Sequence, residues 1–336
     1  MHVFSNKFHF VCGLWLILFL TTGVFVAHAV DIKIAVVMPE GSTWTKTLHQ
    51  FGDEVHSRTK GAVNLKIYAG GVSGDESDVL RKMRANRLQA GGFSGVGLGV
   101  VLPEIRILEA PLLFSSYNEI DFVKKRMFDI FAGKFEKKGF VLLGFAEAGF
   151  VYLFSKNDIS DTARFQKSKM WVWKGDRTAE NFLSAFGLNT YPLHLADVNT
   201  GLETGMIDSF YSPPLAAVAF QWFSRVRYML DYPLANSTGA LLMSKRVFYK
   251  LSSKNRKILA DLSRQYCDEL VRLTRNDNQE ALLVLKDAGI RMVTPTEEQV
   301  SSFKKSAQQN YEMSVPDLYS KEMMDKIHRL LSEYRK

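Results

Sequence analysis

From Lys254 to Lys286 the chain contains neither glycine nor proline, and this one stretch limits the folds open to it. Within it Ile258, Leu262, Tyr266, Leu270 and Leu273 recur at helical spacing, and Ser252 or Ser253 can cap the start. A continuous helix over that span is roughly 50 Å long at about 1.5 Å per residue. A single small lobe is shorter than that, so the helix is expected to lie across two lobes.

The chain ahead of that helix alternates strands with helices. Ile32, Ile34 and Val36 mark a strand, and Ser42 can cap a helix with Trp44, Leu48, Phe51 and Val55 on one face. Gly61 stops that helix. Val63, Leu65 and Ile67 give a second strand closed by Gly70-Gly71, and Asp75-Glu76 open a helix with Val79, Leu80 and Met83 inward. This order is the pattern of an open α/β sheet. Further strands are predicted over 140–145, 150–154, 169–173 and 207–211, with a helix over 178–186 ended by Gly187. Thr296 and Gln299 form a capping-box pair, and Met324, Ile327 and Leu331 mark a last helix.

Residues 1–29 read as an export signal. Lys7 supplies the positive region, Phe10 to Leu20 the apolar run, and Ala27-His28-Ala29 a small-residue cleavage site, so cleavage is expected after Ala29. The alternative is an uncleaved anchor, because apolar residues continue through Val24-Phe25-Val26. Without the signal only Cys267 remains of the two cysteines, which rules out an intrachain disulfide framework in an oxidising compartment. A large apolar core must hold the fold instead. Removing Lys7 from the 43 basic residues leaves 42 against 35 acidic, a charge of +7. The densest cluster, Arg81 to Arg87, reads as a solvated helix face rather than a nucleic-acid patch.

The residues that could carry catalysis are scattered. His49 and His56 are seven apart on one helix and His194 and His328 stand alone, so no pair has the spacing that places two imidazoles on one metal. Gly71-Val72-Ser73-Gly74 and Gly92-Phe93-Ser94-Gly95 both miss the G-x-S-x-G elbow. Gly95, Gly97 and Gly99 are spaced G-x-G-x-G in the third strand region, not as a dinucleotide loop after the first strand. They read as a turn, or as a place where something approaches the backbone closely. No cofactor is expected. Aromatic residues at strand ends stand out instead: Trp171 and Trp173 share one strand face, Phe210-Tyr211-Ser212 ends another strand, and Phe220-Gln221-Trp222-Phe223 follows. Ligands of open α/β sheets bind at such strand ends.

Taken in order, several segments resemble the solute-binding (DctP-type) subunit of tripartite ATP-independent periplasmic (TRAP) transporters. They are Pro39-Glu40-Gly41-Ser42, Thr59-Lys60-Gly61, Tyr68 to Gly74, Pro103-Glu104 and Pro111-Leu112-Leu113-Phe114. Gly201-Leu202-Glu203-Thr204-Gly205-Met206-Ile207-Asp208 is similar to the family's "ALQTGxVDG" segment. The resemblance implies a periplasmic, non-enzymatic α/β protein of two lobes joined by crossing strands and a long helix. Ligand would bind in the cleft and be passed to sodium-driven integral membrane subunits. Lobe I is then expected over 30–148 plus 238–277, and lobe II over 149–237 plus 278–336.

The departures from the family pattern set the expected ligand. The resemblance puts Trp171 where carboxylate-binding members carry an arginine, Val151 where they carry a second, and Ser212 where they carry an asparagine. An indole in place of a guanidinium removes five donors and adds an apolar plate, so an apolar or weakly polar ligand is expected. Trp171 would form the wall, Trp173 would share its face, and Tyr211 and Ser212 would supply polar contacts. Trp44, Glu76, Phe93 and Ser94 are expected from the first lobe. Lys174, Asp176 or Arg177 would recognise a charged group if the strand register shifts. The rival readings are an exported hydrolase or isomerase using Glu76, Asp208 and His194, and a scaffold with a vestigial cleft.

Overall fold

The computed structural model of the protein describes residues 29–315 and 317–336. The expected export signal therefore lies outside the described residues, Ala29 excepted. No helix among the described residues is long and apolar enough to cross a membrane.

Among the described residues ten strands run in chain order: β1 Val30–Ala35, β2 Val63–Tyr68, β3 Ala90–Ser94, β4 Phe140–Ser155 and β5 Lys169–Trp173. They continue with β6 Asn189–Leu193, β7 Ser209–Ser212, β8 Tyr228–Leu230, β9 Ala235–Ser244 and β10 Arg291–Val293. The helices before β5 are α1 Thr43–Arg58, α2 Glu76–Arg84, α3 Gly95–Val101, α4 Tyr117–Lys137 and the short α5 Thr162–Phe165. Those up to the long helix are α6 Arg177–Ala185, α7 Val198–Thr204, α8 Pro214–Ala219 and the short α9 Lys245–Phe248. The last are α10 Ser253–Asp287, α11 Glu297–Ser314 and α12 Lys321–Tyr334.

The strands pair in the order β2-β1-β3-β9-β4-β7-β5-β6, with β8 joining β4 to β10. The parallel group β2-β1-β3 meets the antiparallel pair β9 and β4, and the far half of β4 hands the sheet on to β7 and β8. Two α/β halves are thus joined through β4 and β9. Sequence reading splits β4 into two strands, but it is one strand of 16 residues. Register shifts against β9 at Leu142/Gly144 and Glu147/Gly149 absorb the irregular residues as bulges, which bend a strand without ending it. The Gly95–Val101 segment, assigned by sequence to the third strand region, is helix α3, capped by the Ser94 hydroxyl accepting from the Val96 N–H.

Helix α10 runs 35 residues, opened by Ser252, whose hydroxyl accepts from the Asn255 N–H. Its first half buries Leu259, Leu262 and Cys267 with α1 and β1, and its far end places Leu285 among Phe154, Trp171 and Phe210. It therefore spans both halves. Helix α11 carries the capping box of Thr296 and Gln299 and packs Phe303 against Phe182 and Phe186 of the second half.

Helix α12 departs from the expected lobe II span of 278–336. Its buried face, Met323, Met324, Ile327 and Leu331, joins Met127, Phe131 and Phe135 of α4 in the first half. The Arg335 guanidinium binds the Glu119 carboxylate at 2.7 Å. The chain thus crosses back after α11, and α12 lays its apolar face on α4.

Candidate ligand-binding cleft

Strand ends from both halves converge on one cleft with two adjoining compartments. The larger is a cavity of about 120 Å³ and the smaller one of about 90 Å³. Ser94, Val151, Trp173, Tyr211 and Ser237 line both. All nine residues singled out in the sequence lie on the larger one. Trp44, Glu76, Phe93 and Ser94 come from the first half, and Val151, Trp171, Trp173, Tyr211 and Ser212 from β4, β5 and β7.

The larger compartment is aromatic. Trp171 stacks on Tyr211 with centroids 5.4 Å apart, lies nearly parallel to Trp173 at 6.4 Å, and meets the edge of Trp222 at 5.2 Å. The pairing of Trp171 with Trp173 follows from strand alternation, and Tyr211 arrives because β7 is the parallel neighbour of β5. The indole N–H groups are committed elsewhere: Trp171 donates to the Leu193 carbonyl and Trp173 to Asp75 Oδ2. These two rings therefore turn only carbon towards the cavity.

The hydroxyls expected to greet a ligand are committed as well. The Tyr211 hydroxyl donates to Asp176 Oδ2 at 2.6 Å, and its proton is held by burial and by that carboxylate well above the usual phenol range. The Ser212 hydroxyl donates to the Pro213 carbonyl at 2.9 Å. Both residues line the cleft, but their donors face protein.

Glu76 is 3 % exposed. Its carboxylate accepts from the Ser94 N–H at 2.7 Å, the Ser94 hydroxyl at 2.8 Å and the Gly97 N–H at 2.8 Å. Burial pushes its carboxyl up to about 7, against the pull of these hydrogen bonds. The glycine spacing in α3 now has a cause. A Cβ on Gly97 would collide with the Glu76 carboxylate, and one on Gly95 with the Glu109 carboxylate.

The smaller compartment is ionic. Arg106, which follows α3, pairs with Glu109 three residues on and with Asp176 of the second half, all three buried. Its Nε–H also donates to the Thr178 hydroxyl at 3.4 Å. Glu109 accepts from the Thr238 N–H at 2.8 Å, and burial pushes its carboxyl up to about 7 despite Arg106. Asp176 caps α6 by accepting from the Ala179 N–H. Asn236, 1 % exposed, lines this compartment, and its side-chain carbonyl has no hydrogen-bond partner among the described residues.

Of the residues held in reserve for a charged group, only Asp176 lines the cleft. Arg177 pairs with Asp317 on the surface, and Lys174 lines neither compartment. The trio named for an exported enzyme is not assembled. Asp208 binds the Lys169 N–H at the start of β5, whereas His194 binds Asp75 near the Trp173 end. Arg106, Glu109, Asn236 and Trp222 were not among the expected site residues. A charged pair three apart within the otherwise apolar run Ile105 to Ala110 was the available sign of the first two.

The halves touch at both compartments. Arg106 bridges to Asp176, and Asp75 Oδ2 accepts from Trp173 Nε1 at 3.2 Å and from His194 Nδ1 at 3.0 Å. The cleft is closed in this structure.

The fold is shared with solved solute-binding proteins. The sugar acid binding protein DctPAm of Advenella mimigardefordensis, in complex with galactonate, superposes with a TM-score of 0.85 at 18% identity, covering 91% of this chain and 98% of that one. A TRAP periplasmic solute binding protein of Xanthobacter autotrophicus with bound β-D-galacturonate gives 0.83 at 20% identity, covering 90% and 99%. In sequence, the 2,3-diketo-L-gulonate-binding periplasmic protein YiaO of Escherichia coli is 22% identical over 73% of this chain and 75% of its own length. The ectoine/5-hydroxyectoine-binding periplasmic protein UehA of Ruegeria pomeroyi is 22% identical over 77% of each. The family model for bacterial extracellular solute-binding proteins, family 7 (DctP), matches residues 34–317. The chain therefore belongs to that family, the small-molecule receptors of TRAP transporters, and is a binding protein rather than an enzyme.

Proposed function

We propose that this chain is exported with cleavage after Ala29, captures a small ligand with a large apolar face between its lobes, and delivers it to the integral membrane subunits of a TRAP transporter. The lobes of this reading are 30–148 with 238–277 and α12 on one side, and 149–237 with 278–314 on the other. The closed cleft is the ligand-bound form, reached by a hinge motion about β4 and β9.

One observation carries the ligand class: the larger compartment is walled by aromatic carbon, and Arg106, the one guanidinium that lines the cleft among the described residues, is already held by two carboxylates. Trp171 and Val151 stand at the places where the family resemblance puts carboxylate-binding arginines. An organic acid closed into this cleft would lose its water without gaining a free cation, which costs several kcal/mol. A ligand laid against Trp171 and its neighbours instead gains roughly 25 cal/mol per Å² of apolar surface buried.

Calorimetry tests this directly. Succinate, malate and galacturonate should give no heat of binding, and Trp171→Ala should weaken the co-purifying ligand more than tenfold. Micromolar binding of any of the three acids would overturn the reading.

A further inference from the structure

We propose that the ligand's apolar body carries a positive charge, an ammonium or delocalised nitrogen cation seated among the aromatic rings with Glu76 as its counter-ion. This charge rests on the apolar-body reading above and adds to it. The first ground is that Glu76, though almost wholly buried, has no cationic partner among the described residues. Buried carboxylates are ordinarily paired with a cation, because desolvation otherwise opposes their ionised form. The other buried acids of the cleft follow that rule through Arg106. Glu76 does not, and it faces a cavity.

The donors at the start of α3 account for where the acid sits: the Ser94 N–H donates to one carboxylate oxygen, and the Ser94 hydroxyl and Gly97 N–H to the other. These donors are neutral, and leave its charge without a cation among the described residues. The surroundings are also arranged for positive charge. Trp44, Phe93, Trp171, Trp173 and Trp222 line the same compartment, and aromatic faces attract cations, indoles most strongly. Asp75 stands at the rim, with one oxygen taken by Trp173 and His194. Across both compartments Glu76, Glu109 and Asp176 face a single guanidinium.

A second observation in the adjoining compartment points the same way. The Asn236 carbonyl is buried without a donor among the described residues, a state that opposes folding until something supplies one. A ligand N–H reaching past Trp173 supplies it. An anion would meet three carboxylates and no free cation. Burial raises the Glu76 carboxyl, and a ligand cation beside it would offset that desolvation.

The test uses three indoles of similar shape and different charge on the exported protein, stripped of bound ligand by unfolding and refolding. Tryptamine is the cation, tryptophol the neutral form and indole-3-acetate the anion. Tryptamine should bind at least tenfold more tightly than tryptophol, with indole-3-acetate weakest. Glu76→Gln should bring the tryptamine-to-tryptophol ratio towards one. The wild-type series stands without that variant if it fails to fold. Tryptophol or indole-3-acetate binding as well as tryptamine would overturn the charge while leaving the apolar body intact. Binding by none of the three, with galacturonate bound instead, would overturn the apolar body on which the charge rests.

Discussion

The two compartments of the cleft adjoin, share five residues, and satisfy their chemistry in opposite ways. In the ionic one, Arg106, Glu109, Asp176, Thr178 and Tyr211 bond one another across the lobes. In the aromatic one, the two indole donors of β5 turn away and carbon faces inward. The same family fold thus holds a polar cluster that fastens the closed form beside an apolar one left open to a guest. Polarity in a cleft is therefore poor evidence of what the cleft binds. The groups to count are those without a partner.

If the ionic compartment fastens the lobes, removing its only cation should give the largest effect. Arg106→Met leaves Glu109 and Asp176 buried without their shared partner, a change worth about 3–5 kcal/mol of stability. Urea unfolding at neutral pH measures it. Adding Glu109→Gln to Arg106→Met should recover part of the loss, since one fewer charge is stranded. A loss below about 1 kcal/mol would mean that the lobes are held elsewhere.

The second effect separates the compartments by pH. The Glu76 carboxyl is raised from 4.5 to about 7 in the folded protein. The folded state then binds the proton more tightly than the unfolded state. Its contribution is fully present below about 4.5 and is lost as pH rises towards 7. A shift of that size corresponds to roughly 3 kcal/mol across the window. Carboxylates held low by their partners, such as Asp158 with Ser160 and Glu119 with Arg335, pull in the opposite direction. The quantity to read is therefore the difference between wild type and Glu76→Gln, from urea midpoints between pH 4.5 and 7.5. The variant should gain on the wild type as pH rises. Equal slopes would show that Glu76 is not held neutral by burial.

What the sequence discloses follows the range of the interactions. Local signals read cleanly: Ser42, Asp75, Ser252 and Thr296 all cap the helices they announce, and the long helix needs only its unbroken run. The nine cleft residues gather around one cavity because strand-end aromatics and the family resemblance point to the same edge of the sheet. The rest depends on pairings that no local pattern encodes. Nothing in residues 140–155 says that two bulges keep one strand whole. The apolar stripe of α12 states that it must be buried but not that α4 will bury it. Tyr211 looks like a free hydroxyl until Asp176, 35 residues away in the chain, accepts its hydrogen bond.

The smallest effect belongs to the other contact between the lobes, and it sharpens the contrast. His194 and Asp75 meet at 3.0 Å, but the histidine side chain is 47% exposed. Such a pair is screened by water and salt and contributes about 0–1 kcal/mol. Asp75 Oδ2 also keeps its hydrogen bond from Trp173 when the imidazole is gone. His194→Ala should therefore lower stability by less than about 1 kcal/mol, and the difference should vanish in about 1 M salt. The Arg106→Met loss should persist in the same salt, because the ions it strands are buried. Both contacts join the same two lobes, so only burial distinguishes them. Equal losses with equal salt dependence would break the contrast, and would place the fastening of the cleft at its rim.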